Sequence, residues 1–384
     1  MSKTLPSGWE EKTLGEVSKI GAGNSAPQDQ SCFINGSYNF FRTSDIGKVH
    51  FGKIEHSEDL LNQKGCQGLR LFKAGTILIP KSGASTFLNH RVKMEKDGYV
   101  VSHLATVEAN SSIIDADYLL YFLATIDSKT LIQSQSYPSL NLPIISSIKV
   151  FFPTLPEQKR IVEKLDKIFA NIDKAKENTK KNLQNAKEVF SSFLTKVFNA
   201  QKSGWVQEEL QRVCTKISAG GDKPNAFSKE RTSLYKVPVY ANGEKNDGLL
   251  GFTDFPTITK PAITVAARGT IGFTCKRTIP YCPIVRLISL IPNSDKISLD
   301  FLFYALKYLI PTGNGTSIPQ LTLPTIKKFS ISYPISLDIQ ADIVAQLDAL
   351  RSKTQELEQI YTKKLADLDE LKQSILQQVF SGKL

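Results

Sequence analysis

The strongest constraint on the fold is an internal repeat that contains two long segments of equal length. Gln158 to Phe198 aligns with Gln340 to Phe380 without a gap, at a constant offset of 182 residues. Other stretches also recur, such as GWEEKTL with GWVQEEL and YPSLNLPII with IPQLTLPTI, but their offsets vary. A module of roughly 190 residues is therefore duplicated. The part that kept its length is the part whose length is physically constrained.

Both equal segments carry apolar or near-apolar residues in alternating steps of four and three, the heptad pattern of a coiled-coil helix. In the first segment the predicted packing seam contains Ile161, Leu165, Ile168, Ile172, Thr179, Ala186, Val189 and Phe193. In the second segment it contains Ile343, Leu347, Leu350, Thr354, Leu357, Leu368, Leu371 and Ile375. We therefore expect two long helices with a continuous apolar face.

The start of the first helix is marked by the sequence FFPTLPEQKRIVEKLD. Thr154 and Glu157 have the spacing of a capping box, with Pro156 in the first turn, where proline is tolerated. Each helix of about 44 residues would be roughly 65 Å long at 1.5 Å per residue. Glu157 and Lys159 also form a Glu-x-Lys sequence seen in nuclease centres, but a capping role explains this glutamate better.

The charges favour pairing of the two helices with each other. Residues 155–199 carry a net charge of +4 and residues 337–381 carry −3, and opposite charges favour the mixed pair. The order globe, helix, globe, helix predicts an antiparallel pair and a pseudo-twofold repeat. The sequence thus predicts an α+β protein with globular domains at 1–154 and 200–336, separated by long antiparallel coiled-coil helices at 155–199 and 337–384.

The positive charge is concentrated in the second globe. The whole chain has a net charge of +11, of which residues 200–336 contribute +8 and residues 1–154 contribute +1. In each globe a basic stretch follows a strand-like run and a glycine turn, GTILIPKSGAS in one and PAITVAARGTIG in the other. Basic loops of this kind are suited to phosphate contact, with polar side chains left to read base edges. A solvated basic face is the alternative.

These stretches and the polar turns near them supply the candidate DNA contacts. In the first globe they are Arg42, Thr43, Lys81, Ser82, Arg91, Lys93 and Tyr137. In the second globe they are Tyr240, Asn242, Lys245, Arg268, Lys276, Arg277, Asn314 and Gln320.

Motifs of catalysis are missing from the sequence. There is no Gly-x-x-x-x-Gly-Lys-Ser/Thr loop for ATP, no Gly-x-Gly-x-x-Gly unit and no Asn-Pro-Pro-aromatic methyltransferase motif. The four histidines do not form a metal-ligand pattern, and the five cysteines include no CxxC pair. We therefore expect a non-catalytic, metal-free chain in the reducing cytoplasm, without a membrane-spanning segment.

Over essentially its full length, the sequence resembles the specificity (S) subunit of a type I restriction-modification system. The resemblance rests on LPEQKRIVEKLD and its repeat LDIQADIVAQLD, on the YPSLNLP and IPQLTLP elements before them, and on the segments VPVYANG and GTILIPKSG. The duplicated layout is more specific than any single motif. The second helix start departs from the usual Pro-x-Gln pattern, having Asp338-Ile339-Gln340.

The resemblance implies that each globe is a target recognition domain of mixed α/β structure with a curved sheet. Each domain would read one half of a bipartite, asymmetric sequence in double-stranded DNA, and the helices would set the gap between the halves. Two methylation subunits carrying S-adenosylmethionine would methylate adenine, and two motor-nuclease subunits would bring ATP and magnesium. The chain itself would bind no cofactor.

Three alternatives remain open at this point. A recognition subunit of a fused methyltransferase–nuclease system would share the layout but bind one larger enzyme chain. A coiled-coil scaffold would use its globes to bind proteins instead of DNA. An autonomous nuclease would cleave DNA with magnesium alone and would lose that activity with Glu157→Ala.

Overall fold

The computed structural model describes residues 6–132, 138–199, 203–310 and 321–381. The chain divides into two compact units. Unit 1 comprises Met1–Asn178 and Lys364–Leu384, and unit 2 comprises Thr179–Lys363. Each unit therefore contains one globe together with one part of each long helix.

Unit 1 contains three sheets and a long helix. Its strands are β1 (Glu10–Thr13), β2 (Ser18–Ala22), β3 (Tyr38–Phe41), β4 (Phe51–Ile54), β5 (Asp59–Leu61), β6 (Ile77–Pro80), β7 (Arg91–Met94), β8 (Tyr99–Val100), β9 (Leu104–Ala109) and β10 (Lys149–Phe152). Its helices are α1 (Leu14–Val17), α2 (Thr43–Val49), α3 (Ala116–Leu123), α4 (Leu142–Ser146) and the first part of α5 (Leu155–Asn199). The sheets have the strand orders β1-β10, β2-β9-β6-β7-β4 and β5-β3-β8.

Unit 2 repeats this order with one strand fewer in its largest sheet. Its strands are β11 (Trp205–Glu209), β12 (Cys214–Ala219), β13 (Val237–Tyr240), β14 (Leu249–Thr253), β15 (Ala262–Val265), β16 (Thr274–Arg277), β17 (Cys282–Pro283), β18 (Ile288–Pro292) and β19 (Ser330–Pro334). Its helices are α6 (Leu210–Val213), α7 (Leu299–Leu309), α8 (Leu323–Lys327) and α9 (Leu337–Phe380), whose C-terminal part belongs to unit 1. The sheets have the orders β11-β19, β12-β18-β15-β16 and β14-β13-β17. The predicted mixed fold with two long helices is confirmed.

The core of each globe lies between its largest sheet and one short apolar helix. All residues from Tyr118 to Leu123 of α3 are buried, and so are all residues from Phe301 to Leu306 of α7. A helix that is apolar on every side is buried on every side. Each of these helices packs against its sheet on one side and against a long helix on the other, as the contact of Tyr121 with Phe169 shows.

Within each unit the two long helices run antiparallel, as the repeat order predicted. In unit 1 the ammonium of Lys176 lies 2.6 Å from the Asp369 carboxylate, and that of Lys372 lies 3.3 Å from the Asp173 carboxylate. Moving forward along α5 thus means moving backward along α9. In unit 2 the last turns of α5 and the first turns of α9 share one apolar cluster.

The predicted heptad seam is correct in part. Ile161, Leu165, Ile172, Thr179 and Ala186 are buried in α5, and Leu347 and Thr354 are buried in α9. In contrast, Ile168 (41% exposed), Val189 (49%), Leu357 (40%) and Leu371 (47%) lie outside the seam. Their places are taken one residue later along the chain, for example by Phe169 and by the half-buried Phe190.

The seam shifts because the helix has about 3.6 residues per turn, so a strict 3.5-residue repeat drifts by roughly 20° per heptad unless the pair supercoils. The burial pattern contains two consecutive steps of four at Ile161–Leu165–Phe169. Such a step restores the register of a straighter helix. The remaining predicted members, Phe193, Ile343, Leu350, Leu368 and Ile375, are half-buried.

The first long helix begins at Leu155, where the sequence predicted it. The backbone N–H of Gln158 donates to the Thr154 carbonyl at 2.9 Å. The capping box itself does not form, because the Glu157 carboxylate accepts from the Arg160 guanidinium at 2.7 Å. The pair forms an exposed surface ion pair and holds the pKa of the glutamate below its usual value.

A buried glutamine joins α5 to the globe of unit 1. Gln158 is 0% exposed, and its amide nitrogen donates to the carbonyls of Pro153 (2.8 Å) and Ile113 (3.1 Å). Its amide oxygen accepts from the backbone N–H of Asp115 at 2.8 Å. A single side chain thereby ties the helix start to the preceding strand and to the cap of α3.

Gln340 makes the corresponding joint in unit 2. It is also 0% exposed, and it donates to the carbonyls of Pro334 (2.9 Å) and Lys296 (2.8 Å). It accepts from the backbone N–H of Ser298 at 2.8 Å. The joint therefore survives in the second unit even though the Pro-x-Gln sequence around it does not.

Candidate nucleic-acid interface

Three chain segments of unit 1 meet beyond the ends of β3, β6 and β8. The backbone N–H of Val101 donates to the Phe41 carbonyl (3.0 Å), and that of Lys81 donates to the His103 carbonyl (3.0 Å). The hydroxyl of Ser82 lies 2.7 Å from Nδ1 of His103. We call residues 42–43, 81–83 and 101–103 the loop edge of unit 1.

The same construction occurs in unit 2. The backbone N–H of Ile284 donates to the Tyr240 carbonyl at 2.9 Å. The side chain of Asn242 accepts from the N–H of Ala267 (2.8 Å) and donates to the carbonyl of Val285 (2.6 Å). Residues 241–242, 267–269 and 284–286 form the loop edge of unit 2.

Matching backbone hydrogen bonds establish which positions correspond. Lys81 accepts from the N–H of Leu140 (2.8 Å) as Ala267 accepts from that of Leu321 (3.2 Å). The corresponding pairs of the two loop edges are Thr43 and Asn242, Lys81 and Ala267, Ser82 and Arg268, Ser102 and Val285, and His103 and Arg286. Both edges have these bonds, although Lys81 donates to the His103 carbonyl where Ala267 donates to the Asn242 side chain, and none of the five positions keeps its residue type.

Three predicted contacts are buried inside the globes. Arg91 is 2% exposed and donates to the His90 carbonyl (2.8 Å) and the Ser128 hydroxyl (2.8 Å), and burial lowers the pKa of its guanidinium to about 10. Lys93 is 8% exposed and pairs with Asp117 at 2.7 Å. These cations stabilise the packing of β7 against its neighbours, so they do not belong to the DNA contact surface.

Arg277 is the third buried cation. It is 7% exposed, donates to the Thr264 hydroxyl (3.0 Å), and lies 3.6 Å from the centre of the Tyr240 ring. Lys276, on the other face of β16, pairs with Asp300. In a strand, alternate side chains point to opposite faces, and here both faces are covered. These two residues therefore do not belong to the DNA contact surface either.

The other predicted contacts are at or near the loop edges, with three exceptions. Thr43, Lys81, Ser82, Asn242 and Arg268 lie on them, and Lys245 is exposed in the turn after Asn242. Arg42 lies on the loop edge of unit 1 but pairs with Asp59. Tyr240 ends β13 next to the loop edge of unit 2, half-buried against the Arg277 guanidinium. Tyr137, Asn314 and Gln320 lie outside the described residues.

Two exposed loop-edge residues, His103 and Arg286, escaped the prediction. They occupy the same position in short turns, VSHL and IVRL, that carry no glycine or basic run. Aligning these turns between the two halves of the sequence would have found them, because they precede strands that match in order.

The charge of the two loop edges differs. In unit 2, Arg268 and Arg286 are exposed, and no carboxylate of the described chain lies within ion-pair distance of either guanidinium. In unit 1 the loop edge has the half-buried Lys81, which also has no ion pair among the residues described. Both edges therefore offer cations to an anionic ligand, and unit 2 offers more of them.

Two other kinds of site were sought in the described part of the chain. No group of three or more histidine, cysteine, aspartate or glutamate side chains there is arranged to hold a metal ion. No helix within the described ranges is both long and apolar enough to cross a membrane.

Comparison with known proteins identifies the family. The family model described as "Type I restriction modification DNA specificity domain" matches residues 6–185 and again residues 202–366. A Mycoplasma pneumoniae protein named as a type I specificity subunit is 32% identical over 237 residues, which cover 62% of this chain and 64% of that relative. A second protein of that organism with a similar name is 29% identical over 252 residues, covering 62% of this chain and 74% of the relative.

Solved structures support the same fold. A chain from a study of complex assembly and conformational transition of the type I R-M system has a TM-score of 0.82 at 20% identity, with 99% of this chain and 100% of that chain covered. The HsdS subunit from Thermoanaerobacter tengcongensis has a TM-score of 0.61 at 20% identity, with 99% and 98% covered. With two matches of the family model over most of its length, the chain belongs to the family of type I restriction modification DNA specificity proteins.

Proposed function

We propose that this chain is the sequence-specific DNA-binding subunit of a type I restriction-modification complex. Each loop edge would read one half of a bipartite, asymmetric target in double-stranded DNA. Exposed cations would contact phosphates, and neighbouring polar side chains would contact base edges. Partner subunits would carry out adenine methylation and ATP-dependent restriction.

One observation carries this proposal. The two loop edges share the backbone hydrogen bonds that join their segments, and they differ in the side chains at corresponding accessible positions, such as Ser82 and Arg268 or His103 and Arg286. A common framework places both edges to meet the same kind of ligand, while different side chains select different base pairs. Two equal surfaces would read a symmetric target, and two unequal surfaces would read an asymmetric one.

An exposed apolar groove in unit 2, together with a counterpart in unit 1 that we infer from the repeat, supports docking of two copies of one partner. In unit 2 a groove of about 970 Å³ between α5 and α9 is lined by Val189, Phe193 and Leu350 among others. The repeat places Leu371, Ile375 and Ile168 at the corresponding positions in unit 1. The sequence assigned several of these residues to the helix seam, but Ile168, Val189 and Leu371 are exposed. Exposed apolar patches mark interaction sites, and we assign them to two methylation subunits.

The cofactors would then belong to the partners. S-adenosylmethionine would be held by the methylation subunits, and ATP and magnesium by two motor-nuclease subunits. This chain would supply recognition and spacing without binding any of them.

Genome-wide mapping of adenine methylation tests the proposal. Cells that contain the chain should show a split motif with two different halves and a fixed gap, and deletion of the gene should abolish that motif. A plasmid copy of the gene should restore it. If no split motif disappears on deletion, the proposal is wrong.

A docking variant separates recognition from assembly. Val189→Asp and Leu371→Asp place a charge in each groove and should reduce co-purification of the methylation subunit, because burying an unpaired charge is costly. The matched control is Leu357→Asp, since Leu357 is an exposed apolar residue of α9 that does not line the groove. Equal loss of partner with all three variants would contradict the assignment of the grooves.

A further inference from the structure

The turn after β17 holds two consecutive residues in the left-handed region. Val285 has φ 53° and Arg286 has φ 61°. This region is open to glycine and tolerated by asparagine, but it is strained for a β-branched residue. Strain of this kind persists only where the surrounding structure imposes it, and it concentrates at functional sites.

Hydrogen bonds on both sides of the turn impose this conformation. The N–H of Val285 donates to the Gly221 carbonyl (2.8 Å), and that of Arg286 donates to the Gly220 carbonyl (2.9 Å). Asn242 donates to the Val285 carbonyl at 2.6 Å. The backbone at Val285 therefore cannot relax without loss of these bonds.

Core packing does not account for a valine here. The Val285 side chain is 51% exposed, so it contributes little to the core. Its counterpart in unit 1, Ser102, makes the corresponding bond to the Asn24 carbonyl (2.7 Å) but is not among the left-handed residues of the described chain. The strained, exposed apolar tip is a property of unit 2 alone.

The tip is close to both exposed arginines of its loop edge. Arg286 follows it directly, and Arg268 is brought close because Asn242 bridges Val285 and Ala267. If these cations contact phosphates, the exposed tip close to them would lie at the base edges. The apolar feature that DNA presents there is the 5-methyl group of thymine in the major groove.

We infer that Val285 is a specificity-determining residue that contacts a thymine 5-methyl group in the half-site read by unit 2. This inference rests on the proposed DNA-reading function and goes beyond it in naming the residue and the group recognised. The strain would be retained because a branched apolar side chain at this point selects one base.

Duplexes in which single thymines are replaced by deoxyuridine test the inference, since deoxyuridine lacks only that methyl group. The chain, assembled with its methylation subunit, would be titrated with duplexes substituted one thymine at a time across both half-sites. At one position of the second half-site, the unmodified chain should bind the deoxyuridine duplex about fourfold more weakly, the effect of roughly one buried methyl or methylene group. Val285→Ala should weaken binding to the thymine duplex by a similar factor and should no longer distinguish the two duplexes.

Val285→Gly gives a second reading. Glycine adopts the left-handed region freely, so this variant should unfold at a higher temperature while losing the thymine preference. A residue with a purely structural role would not change these two properties in opposite directions. Ile279→Ala is the matched control, because Ile279 is an exposed apolar residue (56%) that precedes β17, at the opposite end from Val285.

Three results would overturn the inference. The first is an equal effect of Val285→Ala on every duplex, and the second is a thymine preference that survives both variants. The third is a loss of methylation-subunit binding in the absence of DNA, which would assign the tip to a protein contact. Failure of the proposed function itself would look different, because no duplex would then be bound selectively by the unmodified complex.

Discussion

Gln158 in unit 1 and Gln340 in unit 2 are both fully buried and make the same three hydrogen bonds to equivalent backbone groups. At the loop edges the two units share several backbone bonds, but Ser82 corresponds to Arg268 and His103 to Arg286. Since the duplication, the joint between globe and helix has been retained and the exposed edge has diverged. The joint therefore serves a purpose common to both units, and the edge serves a purpose particular to each.

A second difference lies at the margin of the largest sheet. In unit 1, β4 covers the outer edge of β7, whereas β16 is the edge strand of the corresponding sheet in unit 2. Lys93 on β7 pairs with Asp117 as Lys276 on β16 pairs with Asp300. An inward-pointing charged residue protects an open edge strand from pairing with another chain, so the same ion pair has an added use in unit 2.

The largest expected effect comes from breaking the shared joint. Gln158→Ala and Gln340→Ala should each lower the free energy of unfolding by about 3 kcal/mol, because each leaves buried backbone groups without a partner. Thermal and urea unfolding of the whole chain would measure it. Glu157→Ala, beside the joint but exposed, should cost less than about 0.5 kcal/mol. A much larger loss of stability in one unit than in the other would show that the two joints are not equivalent.

The shifted seam predicts that two nearby apolar residues of α5 contribute differently to the free energy of unfolding. Leu165→Ala should destabilise the chain by about 3 kcal/mol, since the side chain is 1% exposed and its removal leaves a cavity. Ile168→Ala should cost less than about 1 kcal/mol, because that side chain is 41% exposed. If both variants lost the same free energy of unfolding in this assay, the strict heptad seam predicted from the sequence would be correct.

The loop edge of unit 2 should dominate the salt dependence of DNA binding. Arg268→Ala and Arg286→Ala should each weaken binding by about 1–3 kcal/mol and lower the slope of log K against log salt by about 1. Titrations at several salt concentrations, with the methylation subunit present, would measure both quantities. Arg91→Met is the control, because its buried guanidinium should affect stability and leave the slope unchanged. A reduced slope with Arg91→Met would show that Arg91 contacts DNA, and would contradict its assignment to the interior.

The sequence predicted the helices and the repeat well because both depend on regular spacing. The helix starts at Leu155 and Leu337 follow from the gap-free alignment, and antiparallel pairing follows from the order of the segments. The seam went wrong at Ile168 and Val189 because a heptad template accumulates drift along a straight helix.

The basic residues were harder to sort. In sequence, Lys81 and Arg91 both lie in a basic stretch after a strand. In the structure, Lys81 follows the last residue of β6 and lies on the loop edge, while Arg91 begins β7 and points into the globe. Which face of a strand is covered depends on packing by distant segments such as α3, and local composition does not contain that information.

An exchange of loop-edge side chains tests whether each loop edge reads its own half of the DNA target. Unit 2 would receive the residues of unit 1 at its exposed positions through Arg268→Ser, Val285→Ser and Arg286→His, and adenine methylation would be mapped across the genome. One half of the split motif should change, while the other half and the gap should stay as they were. A change in both halves, or in the gap alone, would contradict it.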